Sequence, residues 1–270
     1  MIRVAVITSV REGFASVCLP LLHSQPGIEV AGVLLSRNEL TLRQRRRLRW
    51  KQIRKTLAIG PLGAYNGIRM RRWYNEDLNA ALNVRPIDEL CAKLGISLTE
   101  VAGVNRPDTL AALGAMAPDL ALSLGNGYIG SKVFRLPRLG MLNIHHELLP
   151  EFRGAQSVLW QLYQGNAQTG YTIHTLDSGL DTGAIVHQEA IPIMFCETIG
   201  QTVTATVAEL FRRSAAELPR VVVEIEDRLR TAKPQGGGKH FTTPSYWQFR
   251  RMVRNHDRLA AAAGALPPEK

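Results

Sequence analysis

Met1-Ile2-Arg3-Val4-Ala5-Val6-Ile7, an apolar helical stretch running on to Leu22, and then Ile28-Glu29-Val30-Ala31-Gly32-Val33-Leu34-Leu35 decide the fold class. Both flanking segments are rich in β-branched residues, and the second is bounded by Pro26-Gly27 and Ser36-Arg37-Asn38, so each reads as a buried strand. Strand, helix, strand in that order requires a crossover, which makes the two strands parallel. Further along, residues 108–116 predict a short helix stopped by Pro118, and residues 119–124 a strand running into Gly125-Asn126-Gly127. Residues 141–145 and 170–176 predict two more strands, and a long helix follows Thr198. This alternation predicts an α/β fold, a Rossmann-like, doubly wound, mostly parallel sheet with helices on both faces. The run Gly236-Gly237-Gly238 reads as a flexible linker. It divides the chain into a domain over 1–235 and a small C-terminal extension over 236–270, helical from 246 to 263 and frayed at its end.

Composition excludes several classes. With 45% apolar and 21% charged residues and no uninterrupted apolar run of about 18, the chain reads as globular rather than membrane-spanning. Because the first strand begins at once, a signal peptide is not expected, and a cytoplasmic setting is. Cys18, Cys91 and Cys196 are far apart and form no C-x-x-C pair, which argues against a disulfide framework or a zinc site. The net charge of +10 is a local property: eleven Arg and Lys fall between Thr41 and Asn75 without one Asp or Glu, leaving the rest close to neutral. Leu42, Leu48, Trp50, Ile53, Leu57 and Ile59 are interleaved with these cations.

The chemistry is concentrated in Gly140-Met141-Leu142-Asn143-Ile144-His145-His146, continued through Leu149-Pro150 to Arg153-Gly154, and in Asp177-Ser178-Gly179-Leu180-Asp181-Thr182-Gly183. Two apart in a strand, Asn143 and His145 project from one face and can converge on one substrate atom. Asp181 lies in a loop bracketed by glycines, free to take turns closed to other residues. An amide N–H can hold a developing oxyanion, an imidazole can move a proton, and a carboxylate can orient that imidazole. No G-x-S-x-G occurs, so a covalent acyl-enzyme is not favoured. His145-His146 is not a metal pair, since neighbours in a strand face opposite ways and the spacing is not that of H-E-x-x-H. On residue chemistry alone a second reading stays open, with His145 a packed strand residue and Asp181 a turn former.

The string Leu142-Asn143-Ile144-His145-x-x-Leu148-Leu149-Pro150-x-x-Arg153-Gly154, joined to Asp177-x-Gly179-Leu180-Asp181-Thr182-Gly183-x-Ile185, resembles the folate-dependent formyltransferase family over roughly residues 85–215. That resemblance implies transfer of a formyl group from 10-formyltetrahydrofolate to an acceptor amine, without a metal. It implies Asn143 as the holder of the oxyanion, His145 as the catalytic histidine and Asp181 as the carboxylate completing the set. His174 matches a position near the site, and Gly127, Tyr128 and Ile129 match the loop whose backbone contacts the folate pterin.

Methionyl-tRNA formyltransferases carry a C-terminal domain of about 100 residues for tRNA, whereas about 35 residues follow from the glycine run here, so initiator tRNA is not the expected acceptor. Purine-pathway members have a Gly- and Ser-rich phosphate loop after the first strand, where this chain has Thr8-Ser9-Val10-Arg11-Glu12-Gly13-Phe14. The expected acceptor is a small-molecule amine such as an amino sugar. A truncated methionyl-tRNA formyltransferase and a 10-formyltetrahydrofolate hydrolase stand as alternatives, as does a non-catalytic membrane- or RNA-binding protein. The basic insert over 41–75 admits a solvated helix pair, contact with an acidic membrane surface or anionic substrate, or, less favoured, nucleic acid. A homo-oligomer is compatible with the sequence.

Overall fold

Val4 and Val6 alternate with Ala5 and Ile7 along the first strand, and all four are fully buried, so that strand must be covered on both faces. The computed structural model describes residues 1–39, 42–154 and 156–265; Thr41, where the basic insert begins, and the end at 266–270, where the sequence predicts fraying, lie outside the described residues. The strands are β1 (Ile2–Thr8), β2 (Ile28–Ser36), β3 (Leu98–Val101), β4 (Leu120–Ser123), β5 (Met141–His145), β6 (Phe152–Gly154), β7 (Gln168–Thr175), β8 (Ile185–Pro192) and β9 (Lys239–Phe241). Seven form one sheet in the order β3-β2-β1-β4-β5-β7-β8, while β6 and β9 pair separately. From β3 to β5 neighbours run parallel; β7 and β8 return antiparallel.

The helices are α1 (Phe14–Ser24), α2 (Leu42–Arg72), a π-helical turn at Trp73–Asp77, α3 (Leu78–Leu82), α4 (Ile87–Leu94), α5 (Pro107–Met116), α6 (Ser131–Phe134), α7 (Leu159–Gln164), α8 (Ile199–Val223), α9 (Ile225–Arg230) and α10 (Tyr246–Ala262). On one sheet face Val4, Val6, Leu122 and Leu142 pack with residues of α1 and α8. On the other, Ala5, Ile7, Ala121 and Met141 pack with α5 and α6. Burial of each large aliphatic side chain contributes roughly 1.5–3 kcal/mol, and this two-sided demand explains why β1 and β4 read as almost continuous apolar runs.

The basic insert forms a helix pair. Gly60, with φ of +73°, breaks α2 just before Pro61. Beyond the break, Met70 and Trp73 turn inward to a third apolar cluster with Trp160, Val203, Phe249 and Met252. The C-terminal segment therefore shares a core with the rest of the chain: β9 pairs with β6, and α10 packs on α7 and α2. The glycine run between them is held by Arg153, which donates to Gln235 Oε1 at 3.0 Å and to the Gly236 carbonyl at 2.9 Å.

Candidate active site

In an open parallel sheet, ligands bind beyond the carboxyl ends of the strands where the winding reverses. Here β1 stands between β2 and β4, and a cavity of about 680 Å³ opens past the ends of β1, β4 and β5. Asn143, His145, Asp181, Gly127, Tyr128, Ile129 and His174, all singled out from the sequence, line this one cavity.

Pairing of β5 with β7 places Asn143 directly across from His174 and His145 across from Thr172. His174 Nδ1 lies 2.8 Å from the Thr175 carbonyl, which can only accept, so Nδ1 carries the hydrogen. Burial pushes the His174 pKa down, the ring is neutral, and its Nε2 lone pair accepts from Asn143 Nδ2 at 3.2 Å. One amide hydrogen of Asn143 is thereby fixed, and the other remains for a ligand oxygen. His145 is oriented by the same logic: its Nε2 donates to the Phe152 carbonyl at 2.8 Å. Burial lowers its pKa, with nearby Asp181 opposing, so the neutral ring keeps a lone pair on Nδ1.

Asp181 faces both rings. Its Oδ2 is 3.9 Å from His145 Nδ1 and its Oδ1 is 3.9 Å from His174 Nε2, too far for a hydrogen bond and near enough to favour a positive charge on either ring. The loop that carries it is built by Asp177, whose Oδ1 accepts the Gly179 N–H at 2.9 Å and the Thr182 hydroxyl at 2.6 Å. Asp181 takes a left-handed conformation, φ +53°. Gly183 closes the loop so tightly that a Cβ there would lie 1.7 Å from the Thr175 carbonyl oxygen, the same atom that holds His174.

Across the cavity, the segment after β4 is shaped by side chains. Asn126 donates to the Ile7 carbonyl at 2.7 Å and accepts from Ser9 at 2.8 Å, tying the ends of β1 and β4 together. Asn105 donates to the Tyr128 carbonyl at 2.8 Å and accepts the Gly130 N–H at 2.6 Å. Among the described residues the backbone groups of Gly125, Asn126 and Gly127 make no hydrogen bond, leaving donors and acceptors along the wall for a ligand.

The remaining wall was not legible in the sequence. Tyr74, Asn75 and Asn79 reach the cavity from the π-helical turn and α3, and residues 240–243 reach it from the C-terminal segment. Tyr74 donates to the Ser157 carbonyl at 2.5 Å, and Asn79 to the Glu12 carbonyl at 3.2 Å. Composition gave one signal, the polar and aromatic run His240-Phe241-Thr242-Thr243, one residue beyond the glycines. His146 points away from His145 and packs between Phe14 and Phe211 at the edge of the same cavity, where burial, with His145 beside it, holds its pKa down at about 3. Among the described residues no group of three or more His, Cys, Asp or Glu is placed to hold a metal ion.

A profile of the formyl transferase family matches residues 3–214. The chain belongs to the formyl transferase family. Methionyl-tRNA formyltransferase of Gluconobacter oxydans is 36% identical over 185 residues, covering 66% of this chain and 55% of that protein. The Synechococcus sp. (strain JA-3-3Ab) enzyme of the same name is 34% identical over 161 residues, 59% of this chain and 49% of that one. The chain thus spans about half the length of the curated formyltransferases it matches. Among solved structures, glycinamide ribonucleotide transformylase 1 from Symbiobacterium toebii superposes with a TM-score of 0.55 at 18% identity, over 84% of this chain and 88% of that chain. A sugar N-formyltransferase from Shewanella sp. FDAARGOS_354 superposes at 0.54 with 14% identity, over 95% and 88% of the two chains. At such identities the superpositions establish the formyltransferase fold. Formyl transferases draw on formyl-tetrahydrofolate donors and act on small-molecule or tRNA acceptors.

Proposed function

We propose that this chain moves the formyl group of 10-formyltetrahydrofolate to the uncharged amine of a small acceptor, an amino sugar. The observation that carries the reading is the convergence of Asn143, His145, His174 and Asp181 on one end of a cavity whose far wall offers unpaired backbone groups. The planar, hydrogen-bonding head of the donor fits that wall at Gly127, Tyr128 and Ile129. A volume near 680 Å³ accommodates the donor head together with a small second substrate.

Each side chain has a distinct task. The free N–H of Asn143 points to the formyl oxygen and takes up the charge that develops when the amine attacks the formyl carbon; one such donor is worth about 100- to 1000-fold in rate. As the new C–N bond forms, His145 Nδ1 receives the proton of the amine, and Asp181 steadies the resulting imidazolium. The C–N bond to the folate then breaks and the proton passes from Nδ1 to the departing folate nitrogen, so charge and atoms balance. His174 positions Asn143. An amino sugar suits the remaining wall, because Asn75, Asn79, His240, Thr242 and Thr243 offer amide, imidazole and hydroxyl groups to a ring bearing hydroxyls.

The test is to supply purified protein with 10-formyltetrahydrofolate and a panel of nucleotide-linked amino sugars, following formamide products by mass spectrometry. Formylation of one sugar amine supports the reading. Free formate appearing without acceptor assigns a hydrolase instead, and formylation of methionyl-tRNA alone assigns the acceptor named for the relatives in Gluconobacter and Synechococcus.

A further inference from the structure

Among the described residues, no cation between Arg43 and Arg72 lines the cavity, so this concentration of charge serves something other than the reacting substrates. In the first segment of α2, Leu42, Trp50, Ile53 and Leu57 fall within a stripe of about 80° at the helical repeat. They stand 78%, 67%, 51% and 76% exposed. Arg46 falls within this stripe and Arg49 at its edge, and both line a shallow groove with Trp50, Ile53 and Leu57. After the break at Gly60, Leu62, Tyr65 and Ile68 recur at a spacing of three and are also exposed, while Asn66, Met70 and Trp73 face inward. Next to this segment, α10 begins against Gly63, and its Trp247 is exposed with Arg250, Arg251 and Arg254 following. A lone exposed leucine needs no partner, but seven large apolar side chains on two successive segments without one acid among them do.

We infer that α2 is a surface-lying helix pair that docks the protein on an anionic lipid bilayer. Charge complementarity fixes the sign of the partner, and the apolar stripe fixes its kind. A nucleic acid would satisfy the arginines and leave Leu42, Ile53, Leu57 and Ile68 in water, whereas the headgroup boundary of a bilayer takes up both. No described helix is long and apolar enough to cross a membrane, so α2 lies in the interface. Docking orients the active site as well, since α2 continues through the π-helical turn into Tyr74 and Asn75 of the cavity wall.

The experiment is sedimentation of the full chain with phosphatidylcholine vesicles with and without phosphatidylglycerol, at low and high salt. Binding to the anionic vesicles alone, weakened by salt, is expected. Each cation at such a surface contributes about fivefold, so an Arg46→Gln, Arg49→Gln, Arg54→Gln variant partitions about a hundred-fold more weakly. A Trp50→Glu, Leu57→Glu variant loses binding while its melting temperature and its binding of 5-formyltetrahydrofolate stay unchanged, because both side chains are exposed and outside the cavity. Wild-type protein left in solution by anionic vesicles overturns the proposal, as does equal binding by the glutamate variant. Salt-dependent binding of tRNA with vesicles ignored overturns it too, and assigns the segment to nucleic acid.

Discussion

Gly183→Ala tests whether the loop bearing Asp181 and the pair His174–Asn143 act as one unit. The added Cβ would sit 1.7 Å from the Thr175 carbonyl oxygen, where real contacts do not fall below 3.0 Å, so the two must part by more than 1 Å. That oxygen accepts the Nδ1 hydrogen of His174 at 2.8 Å, and His174 in turn fixes the amide of Asn143. Pushing it aside releases the ring, lets the Asn143 amide turn, and moves Asp181 from its place 3.9 Å from both imidazoles. A misplacement of about 1 Å in such a constellation costs on the order of 100-fold in turnover. The assay is single-turnover consumption of 10-formyltetrahydrofolate, with a thermal melt to show that the variant is folded. Gly114→Ala is the paired control: it lies in α5 outside the cavity, a Cβ there meets nothing within 4 Å, and its rate should stay close to wild type. A folded Gly183→Ala protein with wild-type turnover would refute the coupling.

Other consequences follow from burial. Because burial lowers the His145 pKa from the usual imidazole value, the acid limb of kcat at saturating substrates should fall on the acid side of an ordinary histidine's titration; a limb on its alkaline side contradicts a neutral base. Below pH 6.5 the unfolded chain binds a proton that folded His146 refuses down to about pH 3, so this residue costs stability as pH falls. His146→Phe, which suits the pocket between Phe14 and Phe211, should resist denaturant better than wild type by a margin that grows by about 2 kcal/mol from pH 6.5 to 4.5. Its neighbour Glu147 has the opposite sign. Burial raises its pKa from 4.5 to about 8, so wild type loses stability as pH climbs through that window and Glu147→Gln should not; parallel urea curves at pH 5 and 7.5 for both proteins would count against it. Asn105→Ala removes both bonds that hold the 128–130 loop and should weaken 5-formyltetrahydrofolate binding about tenfold; unchanged affinity in calorimetry would separate that loop from the folate site.

How far the sequence disclosed this molecule depended on whether a feature was local. β1, β2 and β4 were legible because burial on both faces forces apolar runs that punctuation by Gly and Pro sets apart, whereas β5 and β7 mix Asn143, His145, Thr172 and His174 with apolar residues and were marked off by Gly140 and Gly170. β8 was not: His187, Gln188 and Glu189 lie within it, so no apolar run marks it, and its partner β7 supplies the pairing. β6 and β9 are three residues each and joined across more than 80 positions, with no periodicity to read in either. In the site, Asn143, His145 and Asp181 stood out because two short motifs carry them, and strand geometry then predicted that Asn143 and His145 share a face. Tyr74, Asn75, Asn79 and His240 gave no such signal. They enter the cavity only through packing of the third apolar cluster, which joins α2, α7, α8 and α10.

The measurement that bears most directly on the central claim is calorimetric titration of the protein with 5-formyltetrahydrofolate, a stable analogue of the donor, beside an Asn143→Ala, His145→Ala variant. Saturable binding at one site, weakened in the folded variant, is the predicted result. A well-folded wild-type protein that takes up no folate, or a variant that binds it as tightly as wild type, would contradict the assignment of this cavity to formyl transfer.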